Sequence, residues 1–510
     1  MGDSGADATI FDLAVVGGGI NGCGIAADAA GRGLKVLLVE QGDLAAGTSS
    51  ASSKLIHGGL RYLEHYEFRL VKESLEEREI LLANAPHIVW PLRFVVPHVP
   101  EMRSRMLIRA GLFLYDHLAR RRRIPASTIL DLARDPTGHA LSTRFKNGFS
   151  YWDCWVDDAR LVVLVAKLAE KHGASILTRT SLRSAIAGER YWQLTLANGA
   201  GTRTVAAHVL VNAAGPWAGE VARNAIQRHN ASVEVPVRLV KGSHIVVPRI
   251  AGADSAFLLQ AEDRRVVFLL PFADRFTLIG TTDVPFTGDP SRCEISHDEE
   301  QYLLQVANGF LATPLKSDDI VWRYSGVRPL YDDASDNPSV VTRDYRLELD
   351  ASGGGPPLLT VVGGKVTTYR RLAEQAMQLI GPLMPQPLGP AWTATAVLPG
   401  GDMPDADFDA YTDAFLACYP HIPVPLLMPL LRRYGTMAAE VLGDARTVAD
   451  LGEDLGGGLS LREVLYLRNS EWAVTPQDIL WRRTKAGLHV MAVQLAQVEA
   501  RLEKALATGT

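Results

Sequence analysis

Gly17, Gly19 and Gly22 are spaced as G-x-G-x-x-G directly after the apolar run Leu13 to Val16, and an acid, Glu40, closes a second apolar run, Lys35 to Val39. Glycine at these places allows a tight bend, close approach of backbone to a pyrophosphate and close packing of helix on sheet. The helix expected from Ile20 to Arg32 is poor in large side chains, and its first residues, Ile20 and Asn21, bring amide N–H groups with partial positive charge to a phosphate. A carboxylate about 20 residues further on accepts hydrogen bonds from an adenosine ribose. Strand, turn, Ala-rich helix, strand and acid in that order predict a dinucleotide site. The motif leaves FAD and NAD both open, because they share the ADP half.

Two further stretches can reach such a ligand. The loop "QGDLAAGTSSASSKLIHGGLRY" follows Glu40 with small residues and hydroxyls. Gln41, Thr48, Ser49, Ser50, Ser53, Gly58 and Gly59 leave room for a flat ligand, and Lys54, His57 and Arg61 give that wall polar and cationic groups. Later, "PLLTVVGGKVTTYRR" reads as a buried strand, two glycines and a helix starting at Gly364. That start aims the amides of Gly364, Lys365, Val366 and Thr367 at whatever lies above the sheet, which in a flavoprotein is the electron-rich end of the reduced ring.

These residues need a scaffold to position them. The fold expected is α/β: a Rossmann-type dinucleotide domain, an inserted antiparallel β domain for substrate and a separate C-terminal helical domain. A helix from Asp157 to His172 leads into strands near Ala174 to Thr178, Tyr191 to Ala197 and Thr204 to Val211. The last ends in "VLVNAAGPWAG", where Ala213, Ala214 and Gly215 resemble the second dinucleotide-contacting turn of FAD proteins. The β-rich segments between Val235 and Leu349 form the insert. The expected division assigns 10–85, 150–235 and 355–382 to the dinucleotide domain, 86–149 and 236–354 to the substrate domain, 383–407 to a Pro/Gly-rich linker and 408–510 to the helical domain.

Composition narrows the class. With 52 Lys plus Arg against 57 Asp plus Glu in 510 residues, the net charge of −5 argues against a general nucleic-acid binder. The four cysteines, Cys23, Cys154, Cys293 and Cys418, have no C-x-x-C spacing, which excludes zinc-ribbon and disulfide-framework readings and fits a reducing cytoplasm. "DADFDA" has the first spacing of a calcium loop but carries Ala410 where the loop glycine belongs and Leu416 where the bidentate acid belongs, so no metal site is expected. The opening "MGDSGADAT" reads as a frayed tail rather than a targeting signal. No run approaches the roughly 20 apolar residues of a spanning helix. However, "EMRSRMLIRAGLFLYDHLARRRRIP" sets Leu107, Gly111, Leu114 and Leu118 on one helical stripe beside Arg103, Arg105, Arg109 and Arg120 to Arg123. That pattern suits either a membrane surface or an ordinary solvated face.

Seven blocks together, "GGGINGCGIAADAAGRGLKVLLVE", "TSSASSKLIHGGLRYLE", "KGSHIVVP", "IGTTD", "YSGVRPL", "GGKVTTYR" and "VADLGEDLG…WRRTKAG", resemble in order the bacterial aerobic FAD-dependent glycerol-3-phosphate dehydrogenases. The resemblance implies FAD as cofactor, sn-glycerol 3-phosphate as substrate, dihydroxyacetone phosphate as product and membrane quinone as electron acceptor. It also implies peripheral attachment to the inner-membrane lipid surface on the cytoplasmic face. The inserted segment of the related oxidases and the calcium-binding hands of mitochondrial relatives have no counterpart here.

The resemblance also places Arg61, Arg328 and Lys365 at the substrate, with Tyr62, beside Arg61, either a hydroxyl donor or a core residue, and the chemistry agrees. A phosphate dianion suits paired guanidinium donors, and oxidation of a carbinol by hydride transfer to flavin N5 calls for a general base. His244 in "KGSHIVVP" is the expected base, with His57 the alternative; Lys365 and Arg328 favour developing negative charge. An amino-acid or amine oxidase and a non-catalytic flavin redox sensor are the competing readings. The C-terminal helices are open to three roles: the contact of a homodimer, a cap on the substrate sheet, or a surface for another protein.

Overall fold

The computed structural model describes residues 9–99, 104–228, 234–263, 265–332, 344–351 and 354–507; Arg103 lies outside them. The chain forms two compact units. One comprises Met1–Ser50, Asp158–Leu239 and Arg328–Thr510; the other comprises Ala51–Asp157 and Val240–Val327.

The first unit is built on the strand Ile10–Val16, whose residues from Leu13 onward are nearly all buried, as strands covered on both faces must be. It pairs in parallel with Val36–Val39 on one side and with the far half of Gly201–Asn212 on the other. Ser175–Leu177 and Leu358–Val362 extend the parallel set at its two edges. An antiparallel meander of Ser181–Ala187, Trp192–Asn198 and the near half of Gly201–Asn212 continues the sheet. Strand Arg346–Asp350, expected in the substrate insert, instead pairs antiparallel with Leu358–Val362 in this sheet.

The helix Ile20–Gly31 forms as the sequence predicts, and its small residues have a steric reason. A Cβ on Gly24 would stand 2.8 Å from the Tyr369 ring, and one on Gly31 would stand 2.0 Å from Trp392, so the helix surface is cut away to admit both aromatics. The helix expected from Gly364 begins later, at Tyr369. Gly363 and Gly364 have φ of +80° and +103°, a left-handed corner that a right-handed helix cannot contain.

The C-terminal segment contributes helices Phe408–Cys418, Val424–Tyr434, Leu461–Ser470 and Ala492–Ala507 to the same unit. The acids of "DADFDA" serve a helix terminus: Asp407 caps Phe408–Cys418 by accepting from the amides of Asp409 and Ala410. Arg160, from the helix Asp158–Lys171, pairs with Glu471; both side chains are wholly buried.

The second unit carries a ten-stranded sheet in the order Val284–Pro285, Val237–Pro248, Phe276–Gly280, Val266–Phe272, Ala256–Gln260, Val89–His98, Asn147–Val156 and Leu55–Ile56, with Trp322–Tyr331 and Thr128–Asp131 added at the side. Ala256 and Phe257 meet Phe94 and Val95 in parallel, whereas Val237–Pro248 with its neighbours Phe276–Gly280 and Val284–Pro285, the hairpins through Val266–Phe272, and Asn147–Val156 with Val89–His98, Thr128–Asp131 and Leu55–Ile56 pair antiparallel. The helix His297–Asn308 covers one face through Leu303, Leu304 and Ala307, closing a core with Val95, Ile245, Phe257 and Ile279.

Candidate functional site

In the first unit the glycine turn is shaped by contacts that only glycine permits. Gly17 has φ +114°, and a Cβ there would stand 2.4 Å from the Ala213 carbonyl oxygen; one on Gly22 would stand 2.0 Å from the Gly17 carbonyl oxygen. The two turns read from the sequence therefore meet, and Ala213 N–H donates to the Val16 carbonyl at 2.9 Å. The helix Ile20–Gly31 has no side-chain cap on its own Gly19; instead Ile20 N–H donates to Ser49 Oγ at 3.0 Å, which brings the Thr48–Ser50 loop to the helix start.

Glu40 accepts from Gly18 N–H and from Gly42 N–H, each at 2.7 Å. Burial raises its pKa, against the lowering effect of those two donors. Asn21 Nδ2 donates to the Gly363 carbonyl at 3.0 Å, and its amide fills the space a Cβ on Gly364 would need. The Gly364 to Thr367 turn is thus brought to the glycine loop, with Lys365 and Val366 half-buried and Thr367 buried. Pro329 O lies 3.6 Å from where a Gly363 Cβ would stand, so the strand end carrying Arg328 passes beside the same turn. Gln41 is exposed, and Gly215 sits in a left-handed corner at φ +56°.

The second unit gathers the other set. His244 is 2% exposed, and its Nε2 lies 2.9 Å from Ser53 Oγ. Its ring stacks on Tyr324 with centroids 4.7 Å apart and planes 12° apart, and Tyr324 donates to the Ser52 carbonyl at 2.8 Å. Lys54 Nζ stands 5.1 Å from the Tyr324 centroid. A Cβ on Gly280 would stand 2.1 Å from His244 Cδ2, so this glycine, directly opposite His244 in the sheet, makes room for the imidazole. Tyr324 and Gly280 were not singled out from the sequence; their blocks "YSGVRPL" and "IGTTD" were the available signal.

Gly58, Gly59, Arg61 and Tyr62 form one corner, with Gly59 at φ +77° and the Tyr62 ring packed where its Cβ would be. His57 and Arg61 are half-buried. The corner is held from behind. Gly58 N–H donates to Tyr115 Oη at 2.8 Å, Tyr115 donates to Asp153 at 2.8 Å, and Arg78 pairs with Asp153 at 2.7 Å. Burial raises the Asp153 pKa and the Arg78 charge opposes it.

Tyr115 belongs to the helix Arg105–His117, which buries Leu112, Tyr115 and Asp116. Its outer face exposes Met106, Leu107, Phe113 and Leu114, by 84%, 58%, 57% and 37%. Of the sequence-derived stripe, Leu107 and Leu114 are exposed, whereas Gly111 and Leu118 are half-buried. Arg105, Arg120, Arg122 and Arg123 are exposed; Arg109 is tied to Ser127 and Arg121 to the Asp116 carbonyl. No helix among the described residues is long and apolar enough to cross a membrane.

Residues 12–370 match the family model of FAD dependent oxidoreductases, and residues 391–504 match the C-terminal domain of alpha-glycerophosphate oxidase. A glycerol-3-phosphate dehydrogenase of Pseudomonas aeruginosa is 53% identical over 488 residues, covering 96% of this chain and 94% of that protein. The chain belongs to the FAD-dependent glycerol-3-phosphate dehydrogenases. Within reach of this family lies a D-erythritol 1-phosphate dehydrogenase of Brucella abortus, 48% identical over 96% of this chain and 97% of that protein. The glycerol-3-phosphate dehydrogenase of Bacillus halodurans, solved with FAD, has a TM-score of 0.71 at 26% identity, covering 97% of this chain and 94% of that one.

FAD is therefore the cofactor, as the resemblance implied, and the chain is an oxidoreductase. The residues present fit it. A Cβ at Gly17 or Gly22 would strike the Ala213 or the Gly17 carbonyl, so this tight turn at the helix start, the shape that lets backbone approach a pyrophosphate, can be built only with glycine. The buried Asn21 Oδ1 has no hydrogen-bond partner among the described residues.

Proposed function

We propose that this dehydrogenase oxidises sn-glycerol 3-phosphate to dihydroxyacetone phosphate and passes the electrons to membrane quinone, while attached peripherally to the cytoplasmic face of the inner membrane. The observation that carries the reading is the 53% identity to a glycerol-3-phosphate dehydrogenase along nearly the whole chain. Bound FAD supplies the hydride acceptor, at flavin N5. Arg61, Arg328 and Lys365 provide cationic donors for a phosphate dianion, and Tyr62 adds a hydroxyl. His244, oriented by Ser53 and the Tyr324 ring, takes the carbinol proton, with Lys365 and Arg328 favouring the alkoxide-like charge that develops.

The outer face of Arg105–His117 supports membrane attachment. Four large apolar side chains at helical spacing, with exposed arginines at its flanks, have the composition of an interfacial helix. Attachment would bring the enzyme to a lipid-soluble acceptor.

A second substrate has a specific observation in its favour: the D-erythritol 1-phosphate dehydrogenase is 48% identical with equal coverage. Both molecules pair a phosphate with a carbinol, so the cationic groups serve either. Anaerobic mixing of purified enzyme with each polyol phosphate decides the matter. Flavin bleaching with a higher kcat/KM for glycerol 3-phosphate is expected. A higher kcat/KM for D-erythritol 1-phosphate would replace the proposed substrate, and bleaching by neither would end the reading. Glycine and alanine should leave the colour unchanged.

A further inference from the structure

The block "WRRTKAG" has no part in the reaction described above, and the structure puts its two arginines at the cofactor loop. Arg483 grips Asp43 with both terminal nitrogens, Nη1 to Oδ2 and Nη2 to Oδ1, each at 2.7 Å, while Arg482 Nε reaches Asp43 Oδ2 at 2.6 Å. Asp43 is 1% exposed and Arg483 is fully buried. Arg483 is itself oriented by the Glu471 carbonyl, which accepts from Nη2 at 2.7 Å. Arg482 also pairs with Asp478, and Asp478 with Arg179.

Asp43 lies three residues beyond Glu40 in a loop also held by the Glu40 carboxylate at the Gly18 and Gly42 amides and by backbone contacts. Arg179 N–H donates to the Gly42 carbonyl at 2.9 Å, Thr180 N–H to the Glu40 carbonyl at 2.8 Å, and Ala45 N–H to the Gly18 carbonyl at 3.0 Å. Gly18 is packed so tightly against this loop that a Cβ would stand 2.8 Å from Glu40 Cβ and 3.0 Å from Leu44 Cδ2. The charges also match. Arg179, Arg482 and Arg483 face Asp43 and Asp478, and the Glu40 carboxylate, which interacts with both Arg179 and Asp43, is the third anion that balances the cluster. A bidentate guanidinium on a buried carboxylate fixes orientation as well as charge.

We propose that the C-terminal domain is a cofactor-retention element. Through Arg482 and Arg483 it locks Asp43, and thereby holds Glu40 to Leu44 in the conformation that offers the Glu40 carboxylate to the adenosine ribose of FAD. The inference rests on Glu40 as the ribose acceptor and is independent of which polyol phosphate is oxidised. Asp43, Arg482 and Arg483 are positioning residues, since they act through Glu40.

The test uses the full-length enzyme, reversibly stripped of flavin and titrated with FAD by fluorescence quenching, together with the melting temperatures of the apo and FAD-loaded forms. Asp43→Asn and Arg483→Gln are expected to raise the FAD Kd by at least about tenfold and to shrink the gap between the two melting temperatures. Equal falls in both melting temperatures with an unchanged Kd would mark the cluster as merely structural and overturn the proposal. Should those buried variants fail to fold, Arg482→Gln decides alone, because its side chain is 19% exposed and its loss leaves the Arg483 pair in place. An unchanged Kd in that variant overturns the proposal, and a raised one sustains it. Glu40→Gln separates the two steps: unchanged FAD affinity there removes the ribose assignment, whereas weakened affinity there with normal affinity in the arginine variants removes only the clamp.

Discussion

The glycines of the first turn differ sharply in how much a side chain would cost, although the motif treats them alike. At Gly22 an added methyl would sit 2.0 Å from a backbone carbonyl, whereas at Gly19 it would sit 3.1 Å from the Ser49 hydroxyl, which can rotate away. Gly22→Ala should therefore give protein without the yellow colour of bound flavin. Gly19→Ala should retain most of it, and Gly19→Val should lose it because a branched side chain also displaces Ser49. Flavin absorbance of the purified variants checks the order. Arg328→Ala is expected to keep FAD but lower kcat/KM for the polyol phosphate roughly 10- to 100-fold, the worth of about 1.5–3 kcal/mol for a hydrogen bond to a charged group. Arg328→Lys should recover little of this, since a single ammonium does not replace a planar pair of donors. Wild-type kcat/KM in the alanine variant would remove Arg328 from the site. Glu40 separates what its sequence position suggests from what folding adds. Its type and spacing indicated a ribose acceptor, but not that two backbone amides already share its oxygens, because those donors come from folding of Gly18 and Gly42 around it.

Elements set which of these groups can be reached. The Gly58 to Tyr62 corner depends on Tyr115 and Asp153, which come from a helix and a strand distant in sequence. Tyr115→Phe removes the acceptor for the Gly58 amide and one donor to a buried carboxylate. It should raise KM for the substrate several-fold with flavin content unchanged, as steady-state kinetics on flavin-normalised enzyme would reveal. An unchanged KM would mean the corner does not touch substrate. The same helix carries the exposed apolar face. Replacing Arg120, Arg122 and Arg123 by Gln should weaken co-sedimentation with anionic vesicles by on the order of 1 kcal/mol per charge at low salt, and Phe113→Ser should weaken it further in high salt. Unchanged sedimentation in both would make the face an ordinary solvated one. The basic run was visible in sequence. The inward turn of Arg109 and Arg121 was not, because it depends on acceptors at Ser127 and Asp116. Likewise the double glycine after Leu358–Val362 was legible as punctuation, while its left-handed corner, and hence the delayed start of the next helix, followed from the packing of Asn21 against it.

At the scale of the whole chain, the C-terminal segment is joined to the dinucleotide fold by buried ion pairs, and one of them titrates in a usable range. Burial would raise the Asp478 pKa, but the Arg179 hydrogen bond, the amides of Val474 and Thr475, and the charge of Arg482 bring it down to about 2 from an ordinary 3.8. A carboxyl depressed by folding stabilises the native state above its unfolded pKa and loses that contribution as pH falls through the folded one. Asp478→Asn should thus cost roughly 2 kcal/mol at neutral pH and flatten the loss of stability between about pH 4 and pH 2, read from denaturant melts across that window. An acid limb as steep as that of the wild type would place the pH sensitivity elsewhere. The dinucleotide unit, the β-rich insert and the helical tail were readable because periodicity, turn glycines and a terminal acid are local properties that act within a few residues of themselves. The resemblance carried the cofactor and the family in the same way, through short ordered blocks. What only the tertiary structure decided are pairings across hundreds of positions: Asp43 with Arg483, Asn21 with Gly363, Ser53 with His244. Charge and hydrogen-bonding capacity are written in each side chain, but the low-dielectric surroundings that make such pairs matter exist only after the chain has folded around them.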